Sequence, residues 1–457
     1  MFRRLRLGEL WRLRKSYWFV PSALTVLALA LGYVLPWVDE AVGRGWMEGV
    51  STVTPMSVEG ARALLSMLAG SIIGVAGVAF SITMVAVSFA SANYGPRLIG
   101  NFMGDRTNQV VLGVFVATFV YCTAVLASVH STPQVEGTIV PQISIIVAIG
   151  LALASVAALI VYIHHIPESI DVMNLTANIG GQLRRSVVAM LDEEAERTTR
   201  RTAVVDVAPA SPPKGAETVL GADAAGYIQR IDIRAVHKSA SRHGLQVTVV
   251  AAPGDFVAAG QPILRIRGSA GAAAGGLRDL ASAISVGSAR TDVQDVLFLS
   301  DHLVEVLGRA LSPGINDPHT AIICLDWLRA GMTEFARRPG PPPPAADEPV
   351  IYTRVSFEEM ADRSFGRMRQ YVAKDRTATL HMLAVLSDLA EAACHERRAA
   401  LLTGHMRTLA ASASESLAEE AARAEVSERL GHLLHRVGEP GLRGRVNGLG
   451  IPGGQRT

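Results

Sequence analysis

Residues 63–90 have the sequence ALLSMLAGSIIGVAGVAFSITMVAVSFA and contain no Lys, Arg, Asp or Glu. A helix of about 20 apolar residues crosses the hydrocarbon core of a bilayer, which is ~30 Å thick. Lipid offers no hydrogen-bond partner to peptide groups, so a segment of this length and composition is stable there only as a helix. Residues 63–90 therefore predict a transmembrane helix.

Three more stretches of sufficient length and without Lys, Arg, Asp or Glu lie at residues 18–37, 110–129 and 140–164. Trp18 and Trp37 bound the first, as amphipathic rings do at membrane interfaces. No small-residue cleavage site follows that stretch, so we do not expect it to be a cleaved signal peptide. The predicted fold class is a mainly α membrane protein, with a four-helix transmembrane domain at residues 1–165 and a cytoplasmic α+β region after it.

The distribution of basic residues predicts the orientation of these helices. A basic cluster precedes the first span, Arg97 and Arg106 lie between the second and third, and residues 130–141 contain neither Lys nor Arg. The loop at residues 38–62 is less decisive, because Arg44 and Arg62 lie there among acidic residues. Loops rich in Lys and Arg stay in the cytoplasm. Both termini are therefore predicted to be cytoplasmic, in a multi-pass protein.

Composition excludes several classes of function. The net charge of 457 residues is only +2, and no basic stretch is interleaved with aromatic residues, so nucleic acid is not an expected partner. Cys122, Cys324 and Cys394 are far apart and form no metal-binding or disulfide pattern. Nucleophile, zinc-protease and phosphate-loop motifs are absent, so we predict no catalytic residues, no metal, no cofactor and no enzymatic activity.

The second span carries a stripe of small residues on one helical face: Gly70, Gly74, Gly77, Ser81 and Ser88. Small residues let two helix backbones approach closely in a membrane. One interpretation is helix packing within a single subunit. The other is that copies of this helix from several subunits surround a narrow, weakly polar pore, with hydroxyl groups from Ser66, Ser71, Thr83 and Ser88.

No Lys, Arg, Asp or Glu lies within the spans, and no His lies away from their ends, so selection of a transported species would have to occur at the mouths. The candidates at the cytoplasmic mouth are Arg97, Asp105, Arg106, His164 and His165. The alternative is that these side chains only anchor the helices at the interface and set their orientation.

Residues 166–216 predict a connecting helix and a linker, and residues 217–270 predict a small β module. Its centre, Pro253-Gly254-Asp255-Phe256-Val257, resembles half of a barrel-sandwich hybrid, the fold of biotinyl and lipoyl domains. Those domains carry a modified lysine, whereas the segment 232–244 reads as helical and has only Lys238, so a structural or interaction role is favoured. The Gly- and Ala-rich run 268–276 is expected to be a loop.

Residues 290–437 predict a cytoplasmic helical domain, and residues 438–457 a disordered tail. Within the helical domain, a helix at 293–311 and another at 318–329 are predicted to enclose a turn. In this turn Asp317 is the N-cap and Pro318 the first helical residue. This turn either closes a helical hairpin or forms a ligand site with Asp301 or His302 nearby. Its candidate ligand residues are Ser312, Asn316, Asp317 and His319.

Different short strings of residues, distributed over nearly the whole chain, are typical of one family: Gly95-Pro96-Arg97, Asn101-Phe102, Asp105-Arg106, Asn108-Gln109, His164-His165, Pro253-Gly254-Asp255-Phe256-Val257, Arg290-Thr291, Gln294-Asp295 and Ala310-Leu311-Ser312-Pro313-Gly314-Ile315-Asn316-Asp317-Pro318. With them the sequence resembles the predicted bacterial membrane proteins designated domain of unknown function 2254. The resemblance implies four spans and a cytoplasmic C-terminal region in a bacterial inner membrane, and it implies no activity.

The sequence favours a homo-oligomeric pore or transport-like assembly in the lipid bilayer, with the cytoplasmic region as a vestibule or regulatory part. The alternative is a membrane-anchored sensor or scaffold whose cytoplasmic region binds a ligand or a protein partner. The first depends on the small-residue stripe of the second span, and the second on the turn at residues 312–318.

Overall fold

The structure is a computed structural model that describes residues 18–42, 56–95, 105–129, 140–202, 217–268, 270–340, 348–352 and 354–438. The chain divides into two compact units, Met1–Asn174 and Leu175–Thr457, with the boundary inside the segment predicted to connect the domains. Most described residues are helical, and small sheets occur only in the second unit. The fold class is thus confirmed as a mainly helical protein with candidate membrane spans and a sheet-containing C-terminal region.

Four helices of the first unit are long and apolar enough to cross a membrane, as predicted. They are α1 Phe19–Val42, α2 Val58–Tyr94, α3 Arg106–Ser128 and α4 Gln142–Ile170. At 1.5 Å per residue α2 is ~55 Å long, so it extends well beyond a hydrocarbon core of ~30 Å.

Polar side chains fix where these helices begin. Ser57 Oγ accepts a hydrogen bond from the Gly60 N–H of α2 at 3.1 Å. Asp105 Oδ1 accepts one from the Thr107 N–H of α3 at 2.8 Å. Each cap satisfies a backbone donor that has no partner inside its own helix.

Helix α3 lies at the centre of the first unit, where it packs against α1, α2 and α4. Half of its span is buried, compared with 17–28% of the other three. A methyl group at Gly32 of α1 would lie 2.6 Å from Ala124 Cβ, and one at Gly113 of α3 would lie 2.7 Å from Leu24 Cδ1. Helices α1 and α3 therefore approach each other through glycine.

A break at Asp171 separates α4 from α5, Val172–Thr202, so the predicted helical segment 166–201 is confirmed as two helices. In the second unit, α5 buries Ile179, Leu183 and Val187. Its Gly180 lies against the Trp327 side chain. The predicted linker at residues 208–215 lies outside the described residues, as does the tail after Gly438.

The β module contains two small sheets. Their elements are β1 Glu217–Gly221, β2 Gly226–Ile231, α6 Ile233–His243, β3 Gln246–Val249, β4 Phe256–Val257, β5 Pro262–Arg267, α7 Ala270–Ser282, β6 Ile284–Gly287 and β7 Val350–Tyr352. The strand orders are β1-β5-β3-β7 and β4-β2-β6, and β7 pairs with β3 in parallel. The predicted turn at residues 253–255 is present, with Gly254 at φ +97°. The likeness to a barrel-sandwich hybrid stays a prediction.

The prediction of a loop at residues 268–276 is wrong, because most of this run belongs to α7. Alanine has the highest helix propensity, and four alanines between 270 and 274 outweigh the cost of the glycines. Leu280 on this helix is fully buried in the core of the β module.

The other described elements of the second unit are helical: α8 Val296–Ala310, α9 Pro318–Arg337, α10 Phe357–Ala361, a π-helical turn Asp362–Gly366, α11 Arg367–Val372, α12 Arg376–Ala392, α13 Glu396–Ser416 and α14 Glu420–Gly438. The predicted end of α9 at Arg329 is wrong, since the helix continues for two more turns. Gly331, in this added part of the helix, lies against Leu183, and tertiary packing offsets its low helix propensity.

Candidate functional site

The small-residue stripe of α2 faces away from the rest of the described first unit. Gly70, Gly74, Gly77, Ser81 and Ser88 are all exposed. A methyl group added at any of the three glycines would meet nothing within 4 Å. The opposite face of α2, which includes Ala69, Ala76 and Ala86, is buried against its neighbours. Packing within the subunit thus uses the alanine face.

Thr83 does not belong to the stripe, so the prediction that its hydroxyl faces a pore is wrong. It is 6% exposed, and its Oγ1 lies 2.9 Å from Tyr162 Oη on α4. At 100° per residue, Thr83 lies half a turn away from Gly74, on the buried face. Ser66, Ser71 and Ser88 are exposed.

The structure brings two of the five predicted mouth residues together. His165 Nε2 lies 2.5 Å from Asp105 Oδ2, which joins the end of α4 to the beginning of α3. His164 instead lies 3.3 Å from Glu168 of its own helix, with its side chain 81% exposed. Arg106 is exposed, and Arg97 lies outside the described residues.

The other end of the four-helix unit is held by two charged residues that sequence reasoning used only for topology. Asp39 of α1 is 7% exposed and accepts hydrogen bonds from Ile143 N–H at 2.8 Å and Ser144 N–H at 2.9 Å, at the beginning of α4. Arg62 of α2 donates to the Val129 carbonyl at 2.7 Å, at the end of α3. No residue directly before α4 offers a capping side chain, and this could have suggested that a distant residue such as Asp39 caps the helix.

In the turn at residues 312–318, Asp317 caps α9 as predicted. Its Oδ1 accepts from the Thr320 N–H at 3.1 Å. Burial alone would raise the pKa of Asp317, but its bonds to Thr320 and His319 outweigh burial and lower that pKa. The carboxylate therefore occupies the helix N-terminus where an anion would otherwise bind. Asn316 has φ +49°, and with His319 it is exposed.

Asp301 and His302, the other residues considered for this site, each have contacts outside the turn. The His302 ring lies 4.2 Å from that of Phe298. Asp301 belongs to an arginine–aspartate cluster, made of Arg290, Asp295, Asp301, Arg363 and Arg367.

Two buried carboxylates hold this arginine–aspartate cluster together. Arg290 lies 2.7 Å from both Asp295 Oδ2 and Asp301 Oδ2. Arg363 and Arg367 reach Asp301 at 2.9 and 3.1 Å. Gly254 is so close to Asp295 that a methyl group there would overlap its carboxylate. The cluster thus joins the β module to α8 and to the π-helical turn.

Burial raises the pKa of Asp295, and the adjacent Arg290 offsets this only in part. Burial would also raise the pKa of Asp301, but hydrogen bonds and charges from Arg363 and Arg290 together outweigh it and lower that pKa. Three guanidinium groups surround two carboxylates, and Arg367 is 55% exposed. In the sequence, Arg290 and Asp295 stand out only as parts of short strings, and no local pattern links them to Arg363 and Arg367, which lie 62 and 66 residues from Asp301.

A cleft of about 550 Å³ lies within the second unit, between α5, the β module and the segment before α8. Arg230, Arg234 and Arg354 line it, together with Glu193 and Asp232. Arg354 is 10% exposed and lies 2.9 Å from Glu193 Oε2. Apolar lining comes from Ile231, Val293 and Val296. The volume of this cleft lies within the range of small-molecule sites, but its lining is more highly charged than is usual for them.

The described residues contain no group of three or more His, Cys, Asp or Glu that could hold a metal ion. The cleft and the α2 stripe are accordingly the two candidate sites.

A family model described as predicted membrane protein (DUF2254) matches residues 14–388. The chain belongs to the DUF2254 family. Three uncharacterized proteins, one from Mycobacterium bovis and two from strains of Mycobacterium tuberculosis, are each 28% identical to it over 442 residues. These alignments cover 94% of this chain and 82% of each relative.

The DUF2254 match contains both candidate sites. The four apolar helices, the β module, the cleft and the arginine–aspartate cluster all lie within residues 14–388. Helices α13 and α14 lie beyond it. The features that this chain shares with the DUF2254 model are therefore the membrane helices and the first part of the second unit.

Proposed function

We propose that this DUF2254 protein is a homo-oligomeric membrane assembly in which the α2 stripes of neighbouring subunits face one another around a narrow pore. One observation carries the proposal: the three stripe glycines have open space beside them, whereas Gly32 and Gly113 are used for contact inside the subunit. Small residues favour helix association in membranes because they let backbones approach closely. An exposed stripe of this kind suits contact with another subunit.

The chemistry of the exposed α2 face suits a weakly polar pore. Ser66, Ser71, Ser81 and Ser88 offer hydroxyl groups, and residues 63–90 contain no charged side chain. Selection would then depend on the charges at the mouth, where Asp105 and His165 lie together. Met67, Val78 and Val85, each more than 60% exposed, run beside the stripe and could fit against the glycines of a neighbour.

We also propose that both termini face the cytoplasm of a bacterial inner membrane. Four spans bring the two ends of the chain to one side, and the basic residues before α1 favour the cytoplasmic side. In this orientation the second unit is available as a vestibule or regulatory region.

The oligomer proposal predicts that Gly74→Leu separates the subunits without unfolding them, because the added side chain meets open space within the subunit. Subunit number by native mass spectrometry and efflux of potassium and glycerol from liposomes measure the two effects. Wild-type protein should be oligomeric and support flux, and Gly74→Leu should lose both. Gly150→Leu is the matched control, since Gly150 on α4 also has open space beside it. A monomeric wild type, or an unchanged Gly74→Leu, contradicts the proposal.

The cleft supports a second candidate function, a membrane-anchored sensor that binds an anionic small molecule through Arg230 and Arg234. Thermal-shift measurements on the full chain with pyrophosphate as the probe test it. The stabilisation should disappear in Arg230→Gln and persist in Asn316→Ala, whose side chain lies in the turn predicted as a ligand site. Loss in Asn316→Ala alone would assign the site to that turn, and absence of any shift would argue against binding of this class of ligand.

A further inference from the structure

Helix α6 presents positive charge on one side. Arg234, Lys238 and Arg242 are spaced by four residues, and all three are exposed. Residues four apart lie on the same face of a helix. We call this set the α6 basic face.

The packing of α6 fixes the direction of this face. Val236 and Ala240 are fully buried in the core of the β module, and Ile233 is 9% exposed. A rotation of the helix would expose these apolar side chains, so the basic face stays on the outer surface of the unit. Gly244, at φ +60°, ends the helix directly after its basic last turn.

The α6 basic face is not neutralised by its surroundings. Asp232 at the beginning of the helix accepts from the Ala235 N–H at 3.1 Å and lies 3.5 Å from Arg230. The adjacent α7 contributes Arg278 and Asp279, whose charges cancel. Elsewhere in the second unit, Arg290 and Arg436 lie within 3 Å of carboxylates. Among the residues that the structure describes, no such pair involves Arg234, Lys238 or Arg242.

We infer that the α6 basic face docks on an anionic phospholipid surface. Juxtamembrane Lys and Arg are attracted to anionic headgroups. The four apolar helices of the same chain keep the bilayer at a high effective concentration. A protein partner is less well matched, because protein interfaces depend on buried aromatic or apolar anchors, and between the three basic residues α6 exposes only small or polar side chains.

The absence of an apolar outer face on α6 also specifies the kind of docking. Helices that insert into the interface bury Trp, Phe or Leu between lipids. Helix α6 instead buries its apolar residues in its own module, so its attraction to lipid is electrostatic. Such contact weakens with salt, because the Debye length falls from about 10 Å at 0.1 M to about 3 Å at 1 M.

Energy transfer from a fluorophore on Ser241→Cys to acceptor-labelled lipid headgroups tests the inference on the full chain in nanodiscs. Cys394, the exposed native cysteine, is replaced by serine to prevent background labelling. Transfer should be higher in discs containing phosphatidylglycerol than in discs of phosphatidylcholine alone. The difference should disappear at 1 M salt, where attraction between exposed charges is largely screened.

Two charge-removing variants make this test specific. Lys238→Gln with Arg242→Gln should weaken docking by roughly fivefold per charge removed, and both residues lie outside the cleft. Arg407→Gln with Arg429→Gln removes equal charge from exposed positions on α13 and α14 and should change nothing. Equal transfer in neutral discs, or transfer unchanged in the Lys238 and Arg242 variant, would overturn the inference. Transfer that resists salt would indicate an apolar or protein contact instead.

Discussion

Among single residues, His405 is held in an unusual environment. Its side chain is 11% exposed, and its Nε2 lies 3.0 Å from Asp362 Oδ1 in the π-helical turn. Burial lowers the pKa of His405, and the negative charge of the adjacent Asp362 offsets this only in part. The neutral ring is therefore the form that the folded protein favours.

This environment predicts that acid destabilises the protein through His405. The unfolded chain takes up the proton near a pKa of about 6.5, whereas the folded protein takes it up only at lower pH. The free energy of unfolding should consequently be intact above pH ~6.5 and fall as the pH drops below it. Thermal unfolding of the full chain in detergent, at neutral and mildly acidic pH, measures the loss, which should be smaller in His405→Gln.

His432→Gln is the control for this experiment. His432 is 74% exposed on α14 and lies 3.7 Å from Glu428, so its ring is solvated in both states. Its replacement should leave the acid sensitivity unchanged. If His405→Gln loses as much stability in acid as the wild type, the buried histidine is not the cause.

At the scale of elements, α2 uses small residues for two purposes. Its buried face is rich in alanine and contacts α3 and α4 in the core around Phe115 and Tyr162. Its exposed face holds the three glycines with open space beside them. The effect expected of Gly74→Leu depends on which face of α2 is free, and not on the contacts of a single side chain.

The π-helical turn is a second element with a definite role. A helix from Phe357 to Val372 is predicted by its pattern, but residues 362–366 are wound more widely. Arg363 and Ser364 in this turn contact Asp301 and Ser300 of α8, the latter at 2.5 Å between hydroxyl oxygens. Such turns occur often at functional sites. Here the turn lies between the arginine–aspartate cluster and the buried His405.

For the molecule as a whole, the proposed topology predicts that residues 130–139 and the second unit lie on opposite sides of the membrane. A membrane-impermeant maleimide should label Ser131→Cys, in a Cys394→Ser background, in intact spheroplasts. The exposed native Cys394 should react in the wild type only after permeabilisation, because it lies in the second unit. Labelling of both positions from outside would contradict the proposed topology.

Features that depend only on neighbouring residues can be predicted from the sequence of this protein. Length and apolar composition specify the four spans, because uncharged segments are stable in lipid only as helices. Capping chemistry specified the beginning of α9 at Asp317 and Pro318, and turn residues specified the bend at Gly254. These signals are local, so no knowledge of distant contacts was needed to interpret them.

Which helix faces and charged side chains remain free depends on contacts between residues that are distant along the chain. Asp39 caps a helix that begins more than 100 residues later, and Asp301 binds Arg367 across 66 residues. The same sequence pattern is compatible with an α2 stripe that faces into the subunit or away from it. The interpretation that grouped Thr83 with the exposed hydroxyl groups placed it on the wrong face of the helix. These outcomes depend on which helices pack together. Packing joins residues that are distant along the chain, so no local sequence pattern predicts it.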